Sequence, residues 1–312
     1  MKILVTGGAG FIGSQVTDRY IADGHQVTVV DNLVTGKMEN LNRRAQFYQM
    51  DIRNPEIEEI FIRERPEVVN HHAAQIDVRK SVNDPLYDAE TNILGMVNLL
   101  EKTVKHGVRR FIFASSGGAI YGDQPGGAEP ATEENPLRPV SPYGVAKATG
   151  ELYLHYYRVV YGLDFVALRY GNVYGPRQDP FGEAGVVAIF IEKLLSGRQP
   201  LINGDGLQTR DYVYVEDVTE ANVLALNQKA SGPFNIGTGV EKNVNELFWS
   251  LVKITGKSVK EIHGPAKPGE QRRSVLNCSK ANDHLGWEAR VSWEEGLQRT
   301  VKYFAAFHRG GR

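Results

Sequence analysis

A doubly wound α/β fold built on a parallel sheet is what this 312-residue sequence predicts, and three observations predict it. Short apolar runs, "KILVTG", "QVTVVD", "EVVNHHAA" and "RRFIFASS", alternate with amphipathic intervals of helical length through the first half. Residues 27–30 and 111–113 are β-branched or aromatic and almost continuously apolar, as strands covered on both faces by helices require. A glycine-rich turn, "TGGAGFIG", joins the first run to an amphipathic stretch over 11–22, which is the strand–turn–helix order of a right-handed βαβ unit.

Composition bounds the function. Forty-one percent hydrophobic residues allow a substantial core or two unequal domains. Lys+Arg 36 against Asp+Glu 37 leaves a formal charge of −1, which offers no global reason to bind nucleic acid or an anionic membrane. An anionic ligand must therefore meet a local site. The single cysteine, Cys278, can make neither an intrachain disulfide nor a multi-cysteine metal site, so a reducing compartment and hence the cytoplasm are expected. The apolar start of "MKILVTGGAG" is too short for a signal-peptide core, and no later run is long enough to span a bilayer.

In the first turn, Gly7 permits the tight bend, Gly10 lets backbone approach a pyrophosphate, and Gly13 lets the helix sit close to the sheet. Phe11, Ile12 and Gly13 open that helix, whose N–H groups face the phosphates. The next strand ends in Asp31, at the distance where a carboxylate takes the adenosine ribose hydroxyls and repels an extra phosphate, so NAD is favoured over NADP. Lys37 tempers that preference or is a solvated loop charge. Asp51 and Ile52, after "FYQM", take the adenine, unless Asp51 caps the following helix. The adjacent His71 and His72 invite a metal reading, but strand neighbours point to opposite faces and no carboxylate stands at ligand spacing. The face Ile93, Val97, Leu100 and Val104 reads as helix packing, and "YGDQPGGAEP" over 121–130 as an active-site loop.

The segment "SPYGVAKATGE" sets Tyr143 and Lys147 four apart on one face of a helix begun by Pro142, with Ser141 as its cap. To act as a base a tyrosine must fall from about 10 toward 7, roughly 4 kcal/mol of differential stabilisation. An ammonium about 4 Å away at an effective dielectric of 20 supplies about that much.

Together these segments resemble the extended short-chain dehydrogenase/reductase family, and within it the UDP-glucose (UDP-galactose) 4-epimerase group of nucleotide-sugar epimerases. The likeness runs over nearly the whole chain: "TGGAGFIG", "VVDN", "HHAA", "FASSGGAIYG", "SPYGVAK", "LRYGNVYGPRQ", "GDGLQTRDYVYVEDV", "FNIGTG" and "KPGEQRRSVLNCSKA". The resemblance implies a Rossmann-type NAD-binding domain over 1–168, to which the chain returns at about 211–236, and a smaller α/β nucleotide-sugar domain over 169–312. It implies Tyr143 as base, Lys147 as the residue that lowers its pKa and holds the nicotinamide ribose, and Ser116 on the reacting sugar hydroxyl. "SSGGAIYG" carries one residue more than many relatives, so Ser115 competes with Ser116.

By the same resemblance Asn32, Ala73, Ala74 and Asn92 contact the cofactor, and Tyr170 closes over the nicotinamide. The substrate diphosphate falls near Asn172, Arg210 and Lys267, with Glu270 at the nucleoside ribose. Lys267 stands where an arginine is common, and Asn203 where an aromatic residue often lies beside the uracil. A plain alternative for Arg210 is an ion pair with Asp211. Ser274 lines the hexose pocket, its small side chain leaving room for an N-acetyl group. Tyr153, Tyr156 and Tyr157 form the face through which relatives dimerise. The implied activity is NAD-dependent interconversion of UDP-glucose and UDP-galactose through a 4-keto sugar. A 4,6-dehydratase or a glucuronate epimerase or decarboxylase shares fold and cofactor; the dehydratases and decarboxylases place an acid before the Tyr-Gly, where this chain has "SGGAI". A non-catalytic NAD sensor would not need Tyr143, Lys147 and Ser116 together.

Overall fold

A computed structural model describes residues 1–127, 129–181, 185–227, 229–267 and 271–310. The chain opens with β1 (Lys2–Thr6), α1 (Phe11–Ala22), β2 (Gln26–Asp31), β3 (Gln46–Gln49), α2 (Ile57–Glu64) and β4 (Val68–His71). It continues through α3 (Val78–Asn83), α4 (Pro85–Ala89), a π-helical turn at 90–94, α5 (Gly95–Lys105), β5 (Arg110–Ser116), α6 (Gly117–Ile120), α7 (Pro142–Tyr161) and β6 (Asp164–Tyr170). The remainder runs β7 (Asn172–Tyr174), α8 (Val186–Leu195), β8 (Ile202–Asn203), β9 (Thr209–Tyr214), α9 (Val215–Asn227), β10 (Gly232–Ile236), β11 (Glu241–Asn243) and α10 (Val244–Thr255). It ends with β12 (His263–Gly264), β13 (Arg273–Ser274), α11 (Ser279–Leu285) and α12 (Trp293–Gly310).

Seven strands form one parallel sheet in the order β10-β6-β5-β4-β1-β2-β3. Strand order reverses beside β1, because β2 lies on one side and β4 on the other, and this switch point is where doubly wound sheets form a crevice at the C-terminal strand ends. The period of two sorts the core. Ile3 and Val5 face a cluster with Val16 and Tyr20 of α1 and Val218 and Ala221 of α9, whereas Leu4 faces Ile57, Phe61, Leu99 and Leu154 on the other side. The sheet is thus the doubly wound, Rossmann-type one that the apolar runs predict.

Past β6 the chain turns at Gly171 into a smaller sheet, β11-β9-β13, with β7 also on β9, and β8 pairs β12 beside it. Helices α8, α10 and α12 close over this sheet around Phe190, Phe248 and Leu297. A division at 168/169 cuts β6, whose pairing with β5 runs through Tyr170. A return at 211 includes part of β9, a strand of the small sheet; the chain rejoins the large sheet with α9 and β10. Among the described residues no helix is long and apolar enough to cross a membrane.

Two packing expectations shift. The buried residues of α5 are Gly95, Met96, Leu99, Leu100 and Thr103, while Ile93, Val97 and Val104 are only half-buried. The π-helical turn at 90–94 advances the backbone before α5 begins, so the buried stripe is displaced by about one residue. Tyr157 is buried against Leu154 and Leu163, so only Tyr153 and Tyr156 of the expected tyrosine face look outward.

Candidate active site

The glycine turn is built by steric exclusion. Gly7 has φ +71, and a Cβ there would lie 2.5 Å from the Ala73 nitrogen; one on Gly13 would lie 2.3 Å from the Gly7 oxygen. A Cβ on Gly10 would meet only the Gly7 oxygen, at 3.2 Å, and otherwise stand in open space above the turn. Gly10 is the N-cap of α1, with no side-chain cap and no acidic residue in the first turn, so the positive helix end at Phe11, Ile12 and Gly13 faces that space.

Asp31 ends β2 inside this crevice, its carboxylate accepting from Ala9 N–H at 3.0 Å and Leu33 N–H at 2.8 Å. Asn32 donates to Asp51 Oδ2 at 2.9 Å, and Arg53 grips both Asp51 oxygens at 2.9 Å, which holds that carboxyl well below the usual range. Asp51 caps no helix, since α2 begins at Ile57 without a side-chain cap; Ile52 beside it is buried. Lys37 pairs with Asp179 at 3.6 Å.

Ala73 and Ala74 lie half-buried on the loop after β4, where Ala73 N–H donates to Thr6 Oγ1 at 3.3 Å. Asn92 stands one step behind them. Its amide accepts from Gln75 N–H at 2.8 Å and donates to the Gln75 oxygen at 2.9 Å, so it braces the loop through backbone. Tyr170 is buried, its hydroxyl accepting from Asn222 at 2.8 Å and its ring stacked on His72 at 6.5 Å. His71 is hydrogen-bonded to Thr6 at 2.7 Å and stacked on Phe113. Among the described residues no three His, Cys, Asp or Glu side chains gather as a metal would need.

The start of α7 supplies the reactive pair. Ser141 Oγ accepts from Gly144 N–H at 3.1 Å and Pro142 fills the first turn, so Tyr143 stands at the helix entrance with Lys147 one turn deeper. Tyr143 N–H donates to the buried Ser81 of α3 at 3.2 Å, pinning that entrance. Lys147 Nζ donates to the Ala114 carbonyl at 2.7 Å and lies 4.8 Å from the Phe113 ring centre and 5.6 Å from that of Tyr143. Burial brings the lysine down to about 8, opposed by the carboxylates of Asp88 and Glu151.

The expected fall of the Tyr143 pKa toward neutrality does not appear in the protein's own groups. Burial pushes it up to about 12, with Ser116 stabilising the phenolate and the Asp88 charge opposing it. Lys147 donates to the Ala114 carbonyl, and desolvation is the largest influence on the phenol.

The competing serines separate by strand alternation. Ser115 is buried and donates to Glu151 Oε1 at 2.6 Å, behind the site. Ser116 turns to the opposite face, toward Tyr143. Asn172, at the start of β7, converges on the same place: a Cβ on Gly118 would stand 3.4 Å from Asn172 Oδ1 and 4.0 Å from Ser116 Oγ.

The small sheet carries the remaining candidates. Arg210 on β9 donates to the Thr209 oxygen at 2.8 Å, and Ser274 on β13 lies opposite it in strand register, buried. The alternative pair with Asp211 is overturned, because that carboxylate turns to the other face and accepts from Thr238, Gly239 and Leu276. Asn203 ends β8, its carbonyl taking Gln208 Nε2 at 3.2 Å. Lys267 is half-buried at the end of a described stretch, and Glu270 lies outside the described residues.

Sequence reasoning passed over Ser81, Gln75, Asp88 and the buried pair Arg169–Glu151, in which Nη2 meets Oε2 at 2.6 Å. Glu151 was open to discovery, since it stands four beyond Lys147 on the same helix face. The others meet the site only through long-range packing.

Residues 3–237 match the NAD dependent epimerase/dehydratase family. The chain is 47% identical to a putative UDP-glucose 4-epimerase of Methanocaldococcus jannaschii over 96% of its length and 97% of that protein's. Its fold is similar to UDP-glucose 4-epimerase of Thermotoga maritima, solved with UDP-glucose: TM-score 0.97, 53% identity, 99% and 100% of the two chains covered. It is likewise similar to the Thermus thermophilus UDP-glucose 4-epimerase solved with NAD, at TM-score 0.94 and 47% identity with both chains covered in full.

Proposed function

The chain belongs to the NAD dependent epimerase/dehydratase family, and from that membership we propose that it is a nucleotide-sugar 4-epimerase, an isomerase that interconverts UDP-glucose and UDP-galactose through a 4-keto sugar. The carrying observation is the meeting of Tyr143, Lys147 and Ser116 at the C-terminal edge of the parallel sheet, beside the uncapped N-terminus of α1. The open space over Gly10 and the carboxylate of Asp31 fit NAD, which Gly7, Gly10, Gly13 and Asp31 would hold. When bound, NAD supplies a ring that takes a hydride from the sugar and returns it, positively charged in its oxidised form.

The chain's own residues manage the proton and the pose. Tyr143 takes the proton of the C4 hydroxyl and gives it back, a positioned transfer worth about two to four orders of magnitude. Ser116 holds that oxygen in place, and Lys147 holds positive charge beneath the phenol. Arg210, with the fork geometry a diphosphate needs, clamps the substrate together with Asn172 and Lys267 while the sugar turns over. The small Ser274 side chain leaves room for an N-acetyl group, which supports acceptance of UDP-N-acetylhexoses as well. Exposed Leu152, Tyr153, Tyr156 and Val159 along one side of α7 support pairing of two chains into a homodimer.

Incubation of the purified protein with UDP-galactose, with the products resolved, tests this reading. UDP-glucose is the expected product; a dehydrated keto sugar or unchanged substrate overturns it.

A further inference from the structure

Asp88, on α4, is a buried carboxylate with only 1% of its surface exposed. Its Oδ1 accepts from Gln75 Nε2 at 2.9 Å and Asn92 Nδ2 at 3.0 Å, whereas its Oδ2 is buried and finds no hydrogen-bond partner among the described residues. An asparagine would make the same two bonds through its carbonyl and avoid the desolvation of a charge. Hydrogen bonding alone therefore does not single out a carboxylate at this position; what the acid adds over the amide is a negative charge.

Helix α4 packs against α7, where Lys147 is buried with its ammonium against the Ala114 carbonyl. Each charged or titratable group around the two has its own arrangement. On α7, Glu151 is gripped on both oxygens by Arg169 and accepts from Ser115, while Tyr143 carries the phenol. His71 and His72, from β4 and the residue after it, are held neutral by burial and by Lys147 itself. From α3, Arg79 has interactions of its own and Lys80 lies over the Tyr87 ring; Asp77 and Asp84 cap helices, and Glu90 reaches Arg53. Burial raises the Asp88 pKa, and the charge of Lys147 is among the influences that oppose that rise.

We propose that Asp88 is a positioning residue that works through its negative charge, keeping the Lys147 ammonium protonated and seated between Ala114 and Tyr143. The inference rests on the reading of Tyr143 and Lys147 as the catalytic pair. Burial lowers Lys147 to about 8, and Asp88 is the foremost group resisting that fall; the same charge holds Tyr143 up. Removing it lowers both groups, so the whole pH window of turnover moves to lower pH without losing its shape.

The experiment compares the NAD-loaded protein with its Asp88→Asn, Asp88→Ser and Asp88→Glu variants. Side-chain NMR of 13C-labelled lysine follows the Lys147 titration, with its signal identified by its loss in Lys147→Arg. In the Asn variant the Lys147 midpoint is expected to fall by about one unit. The kcat profile on UDP-galactose shifts the same way, KM and melting temperature are retained, and Glu restores both midpoints. A folded Asn or Ser variant with an unmoved Lys147 midpoint overturns the proposal, as does a kcat profile that loses height without shifting. Should the parent protein turn over no nucleotide sugar, the Lys147 midpoint still decides the role of Asp88, so the two failures are separable.

Discussion

Ser115 donates to Glu151 Oε1 across 2.6 Å, and this bond turns one of two adjacent serines away from the reactive cleft. Its neighbour Ser116 is left facing Tyr143. Substitution separates their roles. Ser116→Ala should lower kcat by about tenfold or more, the effect of losing a hydrogen bond to a reacting group, with melting unchanged. Ser115→Ala removes a partner from a buried carboxylate and should cost about 1–3 kcal/mol of stability while sparing kcat. Urea denaturation beside steady-state kinetics reads both, and the reverse pattern would exchange the assignments.

Tyr143→Phe removes the proton carrier and leaves the glycine turn and Lys147 in place. Turnover should drop by about two to four orders of magnitude, with NAD still copurifying at the parental ratio. Near-normal epimerisation by this variant would reject Tyr143 as base.

Ser274 is buried on β13 opposite Arg210. A tyrosine there should fill the proposed sugar pocket, so Ser274→Tyr is expected to abolish turnover of UDP-N-acetylglucosamine while UDP-glucose is still converted. Coupled assays with both sugars measure the ratio; equal loss of the two would remove Ser274 from the pocket.

Stability should decline on mild acidification. Burial holds His71 far below its ordinary value and His72 at about 3, so both stay unprotonated in the fold while an unfolded chain takes up protons below about 6.5. Their contribution is fully present above about pH 6.5 and is lost as pH falls, at about 1.4 kcal/mol per pH unit for each histidine, until the folded groups protonate, for His72 at about pH 3. Urea midpoints taken between pH 7.5 and 4.5 measure the slope, and His72→Gln should flatten it by one histidine's share. A His72→Gln slope equal to the parent's would mean that this imidazole protonates in the fold as it does in the unfolded chain.

Local pattern carried the strand runs, the glycine turn, Asp31 at the end of β2 and the Tyr143–Lys147 helix start, because each rests on backbone period, sterics or a four-residue spacing that neighbouring residues define. Helix α1 spans the same 11–22 that its amphipathic pattern marks. Only the assembled fold decided which serine turns to Tyr143, that Arg210 and Asp211 part to opposite faces, and that Asp88 stands in the field of Lys147. It also decided that Tyr143 is less acidic than its lysine suggested. Those outcomes depend on which distant segments pack together and how much water they exclude, and desolvation belongs to that packing rather than to any short stretch of chain.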